Sequence, residues 1–492
     1  GAEAAFGTAD ITLSEMQSRI AKSAREAGDD AKTVEMYQKM MGIAYRTLTG
    51  QQVYSKEAMK WAQVSNMLAQ GTMGMTLGFA QVPEIANIFY RTSFKAAATQ
   101  FNFKDIRRTF FMGLSRSRMR NEVDELSSCL ETYTGIAGDF SRGDHFMRRM
   151  DDIGFDDDYL NNSWWGRYLD SGRLVSSLNP LGIMPMDTFM RRWAARASFQ
   201  HFVNTAFEIG PDGVVKLSRG WWKNSAERFG QLGMGEDDIA RLTKVLRNPE
   251  FVTYQKGMFG PYKARNFDFS KVEDKAIVDK FIMALRRNTD SMIQRQTMGE
   301  MPTWMNTEFG KVLSQFRVFT IVAKSKQLAA GVARGDAVEV GNVLAGSALA
   351  MLGYYGVTYY RSLGQADPEA YWNEKTTEER LIKSAIMRSG YATVLPALID
   401  PIYKFATGEG LFDSSLRTTG QSVDPLFGAT VMTNIQRLKE AGGTVLDRLF
   451  QDRDFTQRDL KNLMSLVWVT KLPALDQLIQ NHFVNKAPIS NR

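Results

Sequence analysis

Catalysis needs nucleophiles, acids and metal ligands within reach of one another, and this chain is short of most of them. Its imidazoles are His145, His201 and His482, and its one thiol is Cys129. Three scattered histidines and one cysteine are too few for a zinc centre, and a single cysteine forms no internal disulfide. The chain contains neither a phosphate-cradling Gly-x-x-x-x-Gly-Lys loop nor a His-Glu-x-x-His pair, and the glycines around Gly408 and Gly410 lack the strand and helix of a nucleotide site. Nothing local supports a Ser/His/Asp or Cys/His triad. The densest carboxylates, Asp151, Asp152, Asp156, Asp157 and Asp158, flank Ile153-Gly154-Phe155. Calcium-loop ligands alternate so as to point at the ion, and these do not, so they read as a solvated acidic loop. Glu122, Asp124, Glu125 and Glu131 read as a solvated helix face. Two distant carboxylates of the glycosidase kind leave no local motif in a sequence. The sequence therefore offers no catalytic residue, no metal ligand set and no cofactor site.

The chemistry that remains is electrostatic and amphipathic. Between Phe101 and Arg120 stand Lys104, Arg107, Arg108, Arg116, Arg118 and Arg120 against one acid, Asp105, with Phe101, Phe103, Phe110 and Phe111 interleaved. Guanidinium groups neutralise phosphate and rings stack or insert, so this stretch could face double-stranded DNA or lipid headgroups. It could equally be a helical hairpin with phenylalanines inward and arginines paired to the following acids. A second stretch, Lys311–Arg334, carries Lys311, Arg317, Lys324, Lys326 and Arg334 and no acid. Val312, Phe316, Phe319, Val322 and Ala323 make it amphipathic, as for a helix on a membrane surface or in a partner groove.

Asp336 and Glu339 then resemble a helix start, and Val340–Tyr360 runs 21 residues without a charge. At 1.5 Å per residue that is about 31 Å, close to the hydrocarbon thickness of a bilayer. Gly341, Ala345, Gly346, Ala350 and Gly353 would allow close packing against other protomers. Tyr354, Tyr355, Tyr359 and Tyr360 gather towards one end, as interfacial aromatics do. Three Val, three Leu and one Met favour insertion by about 2–4 kcal/mol in total. Asn342, Ser347, Thr358 and four glycines take back much of that. Val340, Gly341, Gly346, Ala350, Gly353, Tyr354 and Tyr360 thus mark a helix of transmembrane length but marginal hydrophobicity. A membrane span and a buried core helix both fit it. Trp61–Pro83 is also uncharged but rich in Gln, Asn, Ser and Thr, and reads as a packed helix.

These segments need elements to carry them. Prolines number 13 and methionines 26 in 492 residues, a balance that favours long helices. Thr12-x-x-Glu15, Ser270-x-x-Glu273 and Thr376-x-x-Glu379 read as capping boxes. Apolar stripes follow the first (Leu13, Met16, Ile20, Ala24, Ala27) and the second (Ile277, Phe281, Leu285 and Met292, with Val278, Ile282 and Ile293). The best strand candidate is short, Val214–Leu217. The fold class expected is all-α, an elongated multi-helix assembly without a large sheet. Breaks at the glycine-rich acidic loop Asp139–Gly166, at Gly260-Pro261 and at Gly364–Trp372 divide it into regions 1–138, 139–260, 261–365 and 366–492. A mean hydropathy of −0.29 excludes a polytopic membrane protein, and a net charge of +7 is too weak to prove nucleic-acid binding. The start at Gly1, without a signal-peptide progression, reads as an internal point of a longer polypeptide or a cleaved product.

The run Met301-Pro-Thr-Trp-Met-Asn-Thr-Glu-Phe-Gly-Lys-Val-Leu-Ser-Gln-Phe-Arg-Val-Phe-Thr320, with Lys324 to Leu328 and the glycine-rich apolar helix after it, resembles the C-terminal part of the large internal virion proteins of short-tailed bacteriophages. The Asn66-to-Phe89 stretch, through Gln81-Val-Pro-Glu84, is similar in character, so the resemblance spans about residues 60–365. It implies a non-enzymatic internal core protein that is ejected from the virion interior and reassembles in the host cell envelope, at the periplasm and inner membrane, as a DNA conduit. The implied partners are further copies of itself as a homo-oligomer, other internal virion proteins, the portal, double-stranded DNA and host membrane lipids. Some relatives carry a lytic transglycosylase domain, whose motif is not seen here. A soluble helical scaffold with no membrane role is the alternative.

Overall fold

The computed structural model describes residues 12–49, 81–103, 125–134, 183–208, 225–258, 260–293, 337–363, 365 and 367–388, with Thr456, Gln457, Leu460, Ile479 and Val484. Twelve helices and one two-stranded sheet account for most of them, and the fold is all-α.

Helix α1 (Leu13–Glu26) starts where expected, because Thr12 Oγ1 accepts the amide of Glu15 at 3.3 Å. The reciprocal half of the box is not made, since Glu15 pairs with Arg19 at 2.7 Å. After a turn through Gly28, whose φ of 86° suits glycine, α2 (Ala31–Thr49) folds back on α1 over Ala21, Ala24, Val34 and Tyr37.

The main body is built around α6 (Ile183–Glu208). Its apolar residues show no single face, and the helix is buried nearly all round, as such a pattern requires. Its C-terminal half (Phe199, Phe202, Val203, Ala206) shares one core with α5 (Glu125–Thr134), α7 (Ser225–Gln231), α8 (Glu236–Arg247) and α9 (Lys275–Met292). Its N-terminal half (Phe189, Met190, Trp193, Ala194, Ala197) packs on Ile88 of α3 (Glu84–Arg91), Ala97 of α4 (Phe94–Gln100) and Met292. Trp193 Nε1 donates to the carbonyl of Ala97 at 2.9 Å, so the indole is satisfied inside the core. The first of these cores draws on residues from 1–138, 139–260 and 261–365 alike.

The break expected near Gly260-Pro261 falls within a β-hairpin, β1 (Val252–Gly257) against β2 (Gly260–Phe267), antiparallel with irregular register after Thr253 and Gln255. Val214–Leu217 lies outside the described residues. The free edge of so small a sheet leaves backbone groups to satisfy, and two buried glutamines do so. Gln200 Oε1 accepts from the amide of Ala264 at 2.9 Å and Gln200 Nε2 donates to the carbonyl of Tyr262 at 2.8 Å. Gln100 Nε2 donates to Gln200 Oε1 at 2.8 Å and to the carbonyl of Ala264 at 3.2 Å.

The stripe predicted after Ser270 is buried as expected at Ile277, Val278, Phe281, Leu285, Met292 and Ile293. Its cap is not Ser270, however. Asp274 caps α9, accepting from Ile277 N at 3.2 Å, while Ser270 closes a local turn on Asp268. Likewise Thr376 does not start a helix. It ends α11 (Pro368–Lys375), with its hydroxyl on the carbonyl of Trp372 at 2.8 Å, and α12 (Glu378–Arg388) begins just beyond it. In both places several Ser, Thr and Asp residues compete for one cap within a few positions.

Candidate functional site

The uncharged run lies within α10 (Ala337–Ser362), 26 residues or about 39 Å long. Among the described residues it is the one helix long and apolar enough to cross a bilayer. Glu339 stands in its first turn and Arg361 in its last, each matching the helix dipole.

The polarity of α10 is the reverse of that of a helix in a water-soluble core. Its buried positions are Val338, Glu339, Asn342, Gly346, Ala350, Gly353, Tyr354, Val357, Thr358 and Ser362, a stripe at steps of three and four rich in small and polar residues. Its outward positions include Val340, Leu344, Leu352 and Tyr359, which are 59%, 67%, 61% and 59% exposed. Leu363, just past the end, continues that line. Of the sequence-predicted residues, Gly341, Gly346, Ala350, Gly353 and Tyr354 therefore serve the inner side, Val340 the outer, and Tyr360 is half-buried.

The N-terminal part of the inner stripe rests on α3 of the same chain, running antiparallel to it, while α10 also packs on α11 and α12. Gly341 lies against the ring of Tyr90, and a Cβ on it would come within 2.8 Å of Tyr90 Cε1. Gly346 lies over Ala86 and the carbonyl of Pro83, with 3.9 Å available to each. Between them Asn342 Nδ2 donates to Asn87 Oδ1 at 3.0 Å, and Asn87 Nδ2 donates onward to the carbonyl of Met292 at 3.2 Å. Glu339 faces Arg228 of α7 at 3.5 Å, with both side chains only 5% exposed. A buried pair of this kind roughly breaks even against hydration but fixes one geometry. At the other end Tyr354 Oη donates to the carbonyl of Lys375 at 2.7 Å, and Tyr355 and Tyr359 pack on Trp372 with centroids 5.4 and 6.1 Å away. The tyrosine cluster thus holds α11 on α10.

Beside Arg228 lies His201, buried and stacked on Phe229 with centroids 5.7 Å apart. Burial first, and then the positive charge of Arg228, push its pKa down to about 3. Cys129 donates its S–H to the carbonyl of Phe267, and burial pushes its thiol up to about 11. Such a thiol is chemically quiet. Among the described residues no three His, Cys, Asp or Glu side chains gather as a metal site would require. An open groove on the α1–α2 pair is lined by Ser14, Gln17, Lys22, Arg25 and Gln38 and brings no reactive set together.

The candidate basic residues Lys104, Arg107, Arg108, Arg116, Arg118, Arg120, Lys311, Arg317, Lys324, Lys326 and Arg334 lie outside the described residues, as does most of Trp61–Pro83. Sequence reasoning missed Arg228, Asn87 and Tyr90, which form the seat of α10. The signal within reach was Asn342, a polar residue in an apolar run, which needs a buried partner somewhere. No family model, no curated protein and no solved structure matches the chain.

Proposed function

We propose that this chain is a non-enzymatic internal core protein of a short-tailed bacteriophage, expelled from the capsid to help form a conduit for double-stranded DNA across the host cell envelope. The observation that carries this reading is the reversed polarity of α10. A helix of bilayer length with glycine, asparagine and glutamate turned inward and leucine turned outward matches the demands of lipid contact, where outward groups must be apolar and inward ones satisfied by protein. The resemblance of Met301–Thr320 and the segments beside it to such virion proteins points the same way. The basic stretch Lys311–Arg334 would sit at the headgroups, adding about 1 kcal/mol per cation to a marginal insertion. Its partners would be further copies of itself, other internal virion proteins and the portal before ejection, and DNA and inner-membrane lipids afterwards.

A second reading, a soluble helical scaffold, is favoured by the buried Glu339–Arg228 pair, which anchors α10 in protein. Flotation of the full chain with anionic and with neutral vesicles separates the two. The membrane reading expects anionic vesicles to carry the protein and Leu344→Asp with Leu352→Asp to reduce that at least tenfold. A protein that floats with neither vesicle belongs to the scaffold reading.

A further inference from the structure

We infer that α10 is a detachable element, clasped to the body at its N-terminal end by Arg228, Asn87 and Tyr90, and that release of this clasp is the step that admits it to lipid. The inference rests on the membrane reading above.

The chemistry of the two sides of α10 makes the case. On the inner side the contacts to α3 and α7 are an ion pair, an amide–amide hydrogen bond and glycines against Tyr90, Ala86 and Pro83. Charged and amide groups regain water when such contacts part, so separating this seat forfeits less than separating an equal area of leucine and phenylalanine, and in lipid the freed Glu339 and Asn342 would be satisfied by further copies of the chain. On the outer side Val340, Leu344, Leu352, Tyr359 and Leu363 meet water in the docked state and would gain by leaving it. A docked and a released arrangement are then close enough in free energy for lipid to shift the balance. The ion pair sets direction as well as affinity. Glu339 faces Arg228 from the first turn of α10, while the rest of the helix is tied to α11 through Tyr354 and Lys375 and packs on α12, so α10, α11 and α12 leave together.

Two features of the seat make this testable in the full chain. First, Arg228 belongs to α7, so Arg228→Gln weakens the clasp without changing the sequence of the helix that enters lipid. Secondly, the Cβ of Ala86 and a Cβ built on Gly346 are 3.9 Å apart, within the range of about 3.5–4.5 Å that a disulfide spans. The double variant Ala86→Cys with Gly346→Cys, in a Cys129→Ala background, would lock the helix to α3.

Flotation with anionic vesicles should give three results, with circular dichroism confirming helix content throughout. Arg228→Gln should raise the vesicle-bound fraction at least threefold. The oxidised double cysteine variant should stay unbound, and the same molecules after reduction should bind as well as the unlocked protein. An oxidised lock that floats like its reduced form, or an Arg228→Gln variant that binds like the wild type, overturns the clasp. If neither the wild type nor the reduced variants float at all, the membrane reading fails, and the clasp is judged in solution alone. The thiol of Gly346→Cys should then react with a maleimide several times faster when Arg228 is also changed to Gln. Equal rates overturn it.

Discussion

His201 stands in an environment that moves it far from its ordinary behaviour. An imidazole that stays neutral down to about pH 3 in the folded chain but titrates near 6.5 when unfolded makes stability depend on acidity. The unfolded chain binds the proton that the folded one refuses. The contribution is therefore fully present above pH 6.5 and is lost as pH falls from there towards 3. By pH 5 the loss amounts to about 2 kcal/mol, at about 1.4 kcal/mol per unit. Urea midpoints at pH 7.5 and pH 5 should fall further apart for the wild type than for His201→Phe, whatever the absolute stability of the variant. Equal pH differences would contradict it. In the sequence His201 is one of three scattered histidines, and its burial was not legible. The clue was its place between Phe199 and Phe202 on a helix with no polar face. Residue types with one dominant preference, such as Phe281 and Leu285, were placed correctly by periodicity alone.

At the scale of the element, α10 was legible as a helix and as an apolar one, because an uncharged run with small residues permits little else. Its orientation was not. The small residues were expected to meet other protomers; of these, Gly341 and Gly346 meet Tyr90, Ala86 and Pro83 of the same chain, a choice that depends on which surfaces tertiary folding brings near. Two of these glycines now predict opposite outcomes for one substitution. Gly341→Ala pushes a methyl group against Tyr90 at 2.8 Å, so the ring must turn out of its place, at a cost of about 1–3 kcal/mol that outweighs the helix-propensity gain of about 0.5–1 kcal/mol. Gly346→Ala meets ordinary van der Waals distances and should gain about 0.5–1 kcal/mol from helix propensity. Hydrogen exchange of the α10 amides should be faster in the first variant and slower in the second. The hairpin β1–β2 escaped the sequence because its alternation is broken by the two register irregularities, and Gly260-Pro261 imitates a helix break.

At the scale of the whole molecule, the proposed DNA conduit would need a phosphate-facing surface, for which the sequence offers the cations Arg116, Arg118 and Arg120. Changing all three to Gln should weaken binding to duplex DNA and flatten the plot of log affinity against log salt, by about 0.9 for each phosphate no longer neutralised. An unaltered slope would mean that these arginines pair within the protein. The all-α class could be read from composition and apolar periodicity, whereas the shared core could not, because residues far apart in the chain build it. Gln100 and the carbonyl of Ala264 are separated by 164 positions. Synthesis at about 5–20 residues per second therefore leaves α4 waiting roughly 8–33 seconds for β2 to emerge from the ribosome. Within that interval the carbonyl of Ala97 waits 96 positions for Trp193, and α3 waits longer still, 205 positions from Asn87 to Met292. Completion of this fold is consequently a late event in translation, and a nascent chain arrested before Met292 should be a good client for a chaperone that shields apolar helices.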